Sequence, residues 1–176
     1  MNRIAIFVDG SNLYHTQRKL GWRLDYARLL NYFRKDGSLY NAFYYTGIDV
    51  DDGQQGGFLP VLIRLGYTVR TKPIKVVGLN EQGESIRKAN LDIELVLDMI
   101  ATSDNYDHLI LCSGDGDFER ALEVLRSRGK TVTVVSTDSM VALELRNASD
   151  SYVELANLRA QLSLSQPFRW EVSPES

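Results

Sequence analysis

The chain has 176 residues and a mass of 19.9 kDa, about the size of one domain, and 44% hydrophobic with 24% charged residues is an ordinary globular composition. This composition excludes a fibrous or wholly disordered chain. The longest uncharged apolar run, residues 4–8, is far too short to span a membrane, and no secretory signal pattern is found at the N-terminus. We therefore expect a cytoplasmic protein with no membrane partner. The single cysteine, Cys112, excludes an internal disulfide and a thiolate metal cluster.

Apolar, strand-like runs alternate with helix-like segments along most of the chain. The predicted strands cover residues 3–8, 39–48, 67–70, 108–112, 131–136 and 152–155. The predicted helices cover residues 13–20, 26–35, 58–65, 91–101, 118–128 and 141–147. This alternation predicts an α/β fold, with a mainly parallel central sheet covered by helices on both faces.

The remaining segments define the expected domain limits. We expect one domain over residues 1–160 and a C-terminal tail over 161–176, where periodicity is weak and two of the four prolines occur. We predict a loop over residues 49–57 and a projecting hairpin or flap over residues 74–87. The helix over 91–101 is apolar nearly all round, which predicts that it is largely buried.

Charge is distributed unevenly along the chain, although the net charge is only −3. The first 88 residues contain 13 Lys/Arg against 8 Asp/Glu, and the second 88 contain 7 against 15. Such asymmetry can place a cation-binding centre beside a surface that attracts a polyanion. Solvated faces that merely differ in sign are the simpler explanation, and the asymmetry taken alone favours it.

Acidic turns follow two of the predicted strands. Asp9 comes directly after the first strand, and Asp115 and Asp117 follow the strand over 108–112. Because the carboxyl ends of parallel strands lie at one edge of a sheet, these carboxylates are expected to converge there. Helix N-capping is the alternative, and it explains Asp117 better than Asp9, since Ser11 is the better predicted cap for the first helix.

Two further acids lie on the apolar helix over 91–101. Asp92 opens this helix, where a carboxylate can complement the helix dipole or join a metal site. Asp98 lies six residues on and therefore roughly 120° around the helix, so the two cannot face one centre directly. Asp98 is expected either to support the site from behind or to bond a neighbouring side chain.

Converging carboxylates need a counter-charge, and they are the hard oxygen donors that hold Mg²⁺ or Mn²⁺. Zinc is disfavoured, because His15 and His108 and the single cysteine lack the spacing of zinc ligands. Arg70, Lys72, Lys75 and Lys88 form a basic cluster beside the start of this helix, and phosphate binding is expected there. Tyr44 and Tyr45 could stack nucleic-acid bases, although one of two adjacent strand residues normally faces the core.

Three motifs in order carry a family resemblance: VDGSN at the first strand, K-x-x-x-D at the apolar helix, and SGDGDF after residue 112. With the stretches FYYTG, LGYTVRTKPIK and LRNASDSYVEL, they resemble the NYN domains of the LabA-like (DUF88) group in the PIN-like nuclease superfamily. The resemblance covers roughly residues 2–160 and implies a PIN-like α/β/α sandwich. One departure is Ala89, where the group often has glycine.

The resemblance also implies a function. By motif position, the metal-site and catalytic carboxylates would be Asp9, Asp92, Asp115 and Asp117, with Asn12 and Ser113 as polar supports. The implied activity is that of a Mg²⁺- or Mn²⁺-dependent ribonuclease, with endonucleolytic cleavage of RNA expected.

Alternatives remain open at the level of the sequence. A non-catalytic regulatory module that binds RNA or a protein partner would keep the same scaffold, and a homodimer is also compatible with it. Hydrolysis or transfer of a small phosphoester by a DxD turn would account for Asp115 and Asp117, but not for Asp9 together with Asp92.

Overall fold

The computed structural model describes residues 2–49 and 55–165. Within them the strands are β1 (Arg3–Asp9), β2 (Ser38–Ile48), β3 (Tyr67–Pro73), β4 (Lys75–Leu79), β5 (Ser85–Lys88), β6 (His108–Cys112), β7 (Thr131–Ser136) and β8 (Ser151–Glu154). The helices are α1 (Gly10–Leu20), α2 (Tyr26–Phe33), α3 (Gln55–Leu65), α4 (Asp92–Ala101), α5 (Glu119–Ser127), α6 (Leu143–Ala148) and α7 (Arg159–Leu162). Short 3₁₀ helices cover Arg34–Asp36, Ser103–Asn105, Gly116–Phe118 and Leu155–Leu158.

The central sheet has the strand order β3-β2-β1-β6-β7-β8, and each neighbouring pair is parallel. After β1 the chain builds the sheet outward on one side through β2 and β3, and then returns to the other side of β1 with β6. Strand β1 therefore lies in the interior of the sheet, next to the point where the direction of winding reverses. In open sheets of this kind, ligands bind beyond the carboxyl ends of the strands at this reversal.

Helices cover both faces of the sheet. Because successive side chains of a strand point to opposite faces, alternate residues of β1 pack into different cores. Along β1, Ile4, Ile6 and Val8 pack into one core with apolar side chains of α1, α2, α3 and α7. The alternate residues Ala5 and Phe7 pack into a second core with α4, α5 and α6. Five successive residues of β1 are thus fully buried. This arrangement confirms the predicted three-layer α/β/α sandwich with a parallel central sheet.

Strands β4 and β5 form a separate antiparallel hairpin over residues 75–88. Its apolar side chains Val76, Val77 and Leu79 are exposed. The base of the hairpin is tied to the end of β2, because Ile74 N donates to Ile48 O at 2.8 Å and the Arg87 guanidinium lies 2.6 Å from a carboxylate oxygen of Asp49. The hairpin therefore joins the sheet at the same edge where β2 ends.

Helix α4 differs from the prediction that it is largely buried. Leu95 and Met99 are buried, whereas Ile93 and Leu97 are 70% and 61% exposed. The cause is the layering of the fold: α4 covers one face of the sheet and lies under no further layer, so only one side of it is enclosed.

Two other predicted segments reach the limits of the described residues. The predicted loop over 49–57 includes residues 50–54, which lie outside them, and α3 already begins at Gln55. Of the predicted tail, residues 166–176 also lie outside. Its first part is packed, because Leu162 is buried and its carbonyl accepts a 2.7 Å hydrogen bond from Asp25 N.

Candidate metal centre

The carboxyl ends of β1 and β6 meet at the reversal point, and the turns that follow them are joined by hydrogen bonds. Asp9 ends β1 and caps α1, with its Oδ1 accepting from Asn12 N at 3.2 Å. The N-cap of α1 is thus Asp9, and the predicted cap, Ser11, is wrong. Its other carboxylate oxygen accepts a 2.9 Å hydrogen bond from the Ser113 hydroxyl. One aspartate therefore serves as a helix cap and still faces the neighbouring turn.

The turn after β6 is held in the same way. Asn12 Oδ1 accepts from Gly114 N at 2.9 Å, and the Ser113 hydroxyl accepts from Asp115 N at 3.2 Å. Asp115 in turn caps the short 3₁₀ helix, because its Oδ1 accepts from Asp117 N at 2.9 Å. Ser113 is fully buried and touches both aspartates. The two strand-end turns are consequently fixed relative to each other.

Asp92 lies on a third element of the fold, in the first turn of α4. Its backbone N–H is capped by Asn90 Oδ1 at 2.8 Å, so its carboxylate is not needed to cap its own helix. One carboxylate oxygen from each of Asp9, Asp92 and Asp115 lies within 4.8 Å of the others. We call these three side chains the Asp triad. They come from three distant stretches of the chain.

The electrostatics of the Asp triad are those of an uncompensated acidic cluster. Burial raises the pKa of Asp9 above its ordinary value, and the charges of Asp92 and Asp115 raise it further, against the lowering effect of its hydrogen bonds to Asn12 and Ser113. The pKa of Asp92 is also raised, first by burial and then by the charge of Asp115. Burial and the neighbouring charges therefore disfavour the ionised forms of Asp9 and Asp92, and a cation between the carboxylates would relieve the repulsion.

The donor set fits a hard divalent cation. The Asp triad offers carboxylate oxygens alone, and all three side chains are half-buried. The nitrogen and sulfur side chains lie elsewhere: His15 is exposed on α1, His108 begins β6 at the other edge of the sheet, and Cys112 is buried in the core. Oxygen donors of this kind favour Mg²⁺ or Mn²⁺ over zinc.

Two of the predicted acidic residues lie outside the Asp triad. Asp117 is exposed and is not among the three carboxylates that converge. Asp98, predicted as a possible support for the site, faces away from it: its Oδ2 accepts from the Tyr45 hydroxyl at 2.8 Å and its carboxylate pairs with Arg70. The second alternative considered for Asp98, a bond to a neighbouring side chain, is the one found.

The predicted basic cluster divides into two pairs. Arg70 and Lys72 are engaged by acids of α4, namely Asp98 and Glu94. Lys75 and Lys88 are exposed and lie directly opposite each other in the β4–β5 hairpin. Among the described residues, no acid pairs with either of these two lysines. The prediction that Tyr44 and Tyr45 stack on nucleic-acid bases is wrong, because both side chains are buried. Tyr44 packs instead against Tyr26, Phe58 and Tyr67.

Two acids near the site were not predicted. Glu94 follows Asp92 on α4 and pairs with Lys72. Glu144, in the first turn of α6, lies against the acidic turn, since a Cβ added at Gly116 would be 2.5 Å from its Oε1. Both are first-turn acids of helices that start at the carboxyl edge. The site predicted from the sequence rests on the acidic turns after two of the strands. The same search after every strand would have found Glu144, because it lies in the first turn of the helix that follows β7.

This fold and this arrangement of acids agree with the comparison to protein families. A model described as the NYN domain matches residues 3–156. The chain belongs to the NYN-domain family, a PIN-like nuclease family. The resemblance drawn from the three sequence motifs is therefore confirmed.

Two individual proteins are similar to this chain. The chain is 50% identical over 162 residues to the low amplitude and bright protein LabA of Synechococcus elongatus, and the match covers 90% of this chain and 87% of LabA. The crystal structure of VPA0982 from Vibrio parahaemolyticus, a protein of unknown function, matches with a TM-score of 0.74 at 28% identity. That match covers 88% of this chain and 93% of VPA0982. Within residues 2–49 and 55–165, every helix falls short of the length and hydrophobicity that a membrane span requires.

Proposed function

We propose that this protein is a Mg²⁺- or Mn²⁺-dependent ribonuclease that cleaves RNA at internal phosphodiester bonds. The convergence of the Asp triad at the reversal point of the sheet is the observation that carries the proposal. Membership of the NYN-domain family supports it, because proteins of this family are generally ribonucleases. The cytoplasm, where RNA is available, is the expected location.

The three aspartates divide the work of holding the ion. Asp9, Asp92 and Asp115 would each supply a carboxylate oxygen, and a divalent cation bound there would activate a water molecule and neutralise charge on the phosphate. Ser113 and Asn12 orient Asp9 and the 113–115 turn through the hydrogen bonds described above. Asp117 lies at the exposed rim, where it is available to a substrate or to a second ion.

Lys75 and Lys88 are the residues best placed to hold the RNA backbone. Directly opposite residues of an antiparallel pair have Cβ atoms about 4.5–5.5 Å apart, and like charges in that position destabilise the pair. A phosphate between the two ammonium groups would remove this repulsion. The hairpin base also joins the sheet at the edge where the Asp triad lies, because Lys88 precedes Asp92 by four residues. Arg70 and Lys72 are less available, since acids of α4 already pair with them.

Cleavage of a covalently closed circular RNA with Mn²⁺ or Mg²⁺ tests this proposal directly. A circle has no ends, so its conversion to a linear product requires an endonuclease. We expect wild-type protein to linearise the circle, and the double variant Asp9→Asn/Asp115→Asn to lose this activity while keeping its circular dichroism spectrum. Asp104→Asn, which removes an exposed acid far from the Asp triad, is the matched control and should cleave normally.

Each outcome has a clear meaning. Unchanged cleavage by the double variant would show that the activity arises at another site or from a contaminant. Binding of Mn²⁺ without cleavage of circular, linear or structured RNA would instead favour the non-catalytic module that binds RNA or a protein partner.

A further inference from the structure

Helix α4, which carries Asp92, is attached to the edge strand β3 by ionic contacts. Along β3, Tyr67 and Val69 pack into the core on the far face of the sheet. Arg70 and Lys72 point to the opposite face, where they meet Asp98 and Glu94 of α4. Tyr45, the neighbour of Arg70 in the sheet register, donates its hydroxyl to the same Asp98. Strands β2 and β3 therefore contact α4 through two ion pairs and one hydrogen bond from a tyrosine hydroxyl.

The spacing of these contacts defines one register of helix against strand. Two residues along a strand advance about 6.6 Å, and four residues along a helix advance about 6 Å. Arg70 and Lys72 are two residues apart, and their partners Asp98 and Glu94 are four apart in the reverse direction. The spacings of the two pairs therefore match when α4 lies at this height above β3, so both pairs form together there.

Lys72 also reaches the turn that places Asp92. Its Nζ donates to Asn90 O at 3.3 Å, and the side chain of the same Asn90 caps the backbone N–H of Asp92 at 2.8 Å. A single lysine thus contacts the first turn of α4 through Glu94, and also Asn90, whose side chain accepts from the first N–H of the helix. Displacement of this lysine would release the end of the helix that belongs to the metal centre.

We propose that Lys72 and Arg70 are positioning residues of the metal centre, which hold α4 at the height where Asp92 meets Asp9 and Asp115. This inference rests on the proposed metal site. It separates the basic residues by role: Lys72 and Arg70 act on the Asp triad through α4, whereas Lys75 and Lys88 contact RNA.

Mn²⁺ affinity of the metal-free, full-length protein, measured by isothermal titration calorimetry, tests the inference without any need for catalysis. Lys72→Met removes a positive charge near the site, so Coulomb interactions alone would strengthen Mn²⁺ binding. Loss of positioning predicts the opposite sign, and we expect binding to weaken about 10-fold, as for other residues that orient metal ligands. Lys72→Arg keeps the charge and should keep an affinity near that of the wild type.

A charge swap and a matched control complete the test. Lys72→Glu/Glu94→Lys rebuilds the salt bridge with reversed charges, but a glutamate cannot replace the hydrogen bond from Lys72 to Asn90 O. Its affinity should therefore rise above that of Lys72→Met without returning fully to that of the wild type. Lys130→Met removes a lysine that likewise donates to a backbone carbonyl, Tyr106 O at 2.9 Å, but at the other edge of the sheet. It should leave Mn²⁺ affinity unchanged.

The results that overturn the inference are distinct from those that overturn the metal site. A folded Lys72→Met protein with unchanged or tighter Mn²⁺ binding, or a folded charge swap that binds Mn²⁺ no more tightly than Lys72→Met, would refute positioning alone. A wild-type protein that binds no Mn²⁺ would refute the metal site, and the positioning role with it.

Discussion

At the scale of single residues, the Asp triad places three carboxylates where each destabilises the charge of the others. The raised pKa values of Asp9 and Asp92 record this cost, whose causes are burial and mutual repulsion. Charges that are unfavourable for folding and lie at the ligand edge of a sheet are typical of functional sites. Substitution of Asp9 or Asp92 should therefore improve metal-free stability while it removes ion binding.

We expect Asp92→Asn to raise the melting temperature of the metal-free protein. A charge in a half-exposed cluster is worth less than about 1 kcal/mol, and 1 kcal/mol shifts Tm by about 2–4 °C for a chain of this length, so the rise should be about 1–3 °C. Mn²⁺ at millimolar concentration should stabilise the wild type and not the variant, because only a bound ligand raises Tm by mass action. Calorimetry with chelator and with Mn²⁺ measures both effects, and a lower metal-free Tm would contradict the expected repulsion.

The pH dependence of Asp9→Asn should have a defined sign. Because the folded-state pKa of Asp9 lies above the value of about 3.9 in the unfolded chain, the folded wild type takes up its proton first as pH falls. The charge penalty at this residue is thus full at neutral pH, decreases as pH falls through the folded-state pKa, and is lost below the unfolded value of about 3.9. The Tm difference between Asp9→Asn and wild type, with chelator present, should therefore be most favourable to the variant at pH 7 and shrink on acidification.

A salt-bridged acid provides the opposite case. The Arg3 guanidinium holds the pKa of Asp107 down at about 2. The ionised Asp107 carboxylate therefore stabilises the fold at pH values above its pKa in the unfolded chain. This stabilisation is lost as pH falls through its pKa in the folded protein. Asp107→Asn should consequently be destabilised at pH 7, and this deficit should vanish in strong acid. Parallel pH profiles for the Asp9 and Asp107 variants would contradict both assignments.

At the scale of secondary-structure elements, the close approach of α1 to β2 sets the position of Asp9. A Cβ at Gly10 would lie 2.5 Å from Tyr45 O and 2.8 Å from the Tyr44 ring. Both obstacles are fixed, since one is strand backbone and the other a buried ring. Glycine is therefore needed at the first residue of α1 for the helix to start so near the sheet, and the Asp9 carboxylate depends on that start.

Gly10→Ala should push the start of α1 away from the sheet. We expect a loss of about 1–3 kcal/mol, the usual cost of overpacking, together with weaker Mn²⁺ binding because Asp9 and Asn12 move. Urea unfolding and calorimetric titration measure the two effects. Gly57→Ala is the control: this exposed glycine of α3 has no neighbour within 4 Å of an added Cβ, so alanine should be neutral or stabilising in the helix. Wild-type stability of Gly10→Ala would contradict the close approach.

The elements also show what could be predicted from the sequence. Strand ends followed by Asp9 and Asp115 predicted the site, because parallel strands bring their carboxyl ends to one edge whatever their order. The partners of Asp98 and Lys72 could not be predicted in the same way, since they depend on β3 lying at the edge, under α4. The exposure of Ile93 likewise depends on which layers surround α4. Patterns along one element predict its type and its ends, whereas pairings between elements require the topology.

At the scale of the whole molecule, the two halves of the chain meet at the reversal point of the sheet. The first half supplies β1 to β5 with Asp9, Lys75 and Lys88, and the acidic second half supplies Asp92 and Asp115. The charge asymmetry noted in the sequence thus becomes an arrangement of lysines and acids along one edge. The opposite edge, where β2 begins after Arg34 and Lys35, also carries basic residues, whereas the Asp triad lies at the carboxyl edge.

RNA affinity should therefore depend on the position of basic residues and not on net charge. Each phosphate contact on single-stranded RNA contributes about −0.7 to the slope of log affinity against log salt, so Lys75→Gln/Lys88→Gln should make the slope shallower by about 1.4. Arg34→Gln/Lys35→Gln removes the same charge from the opposite edge and should leave the slope unchanged. Fluorescence anisotropy with the inactive Asp9→Asn/Asp115→Asn background measures binding without cleavage. Equal slopes for the two charge variants would mean that RNA binds through diffuse attraction, and that the hairpin lysines hold no phosphate.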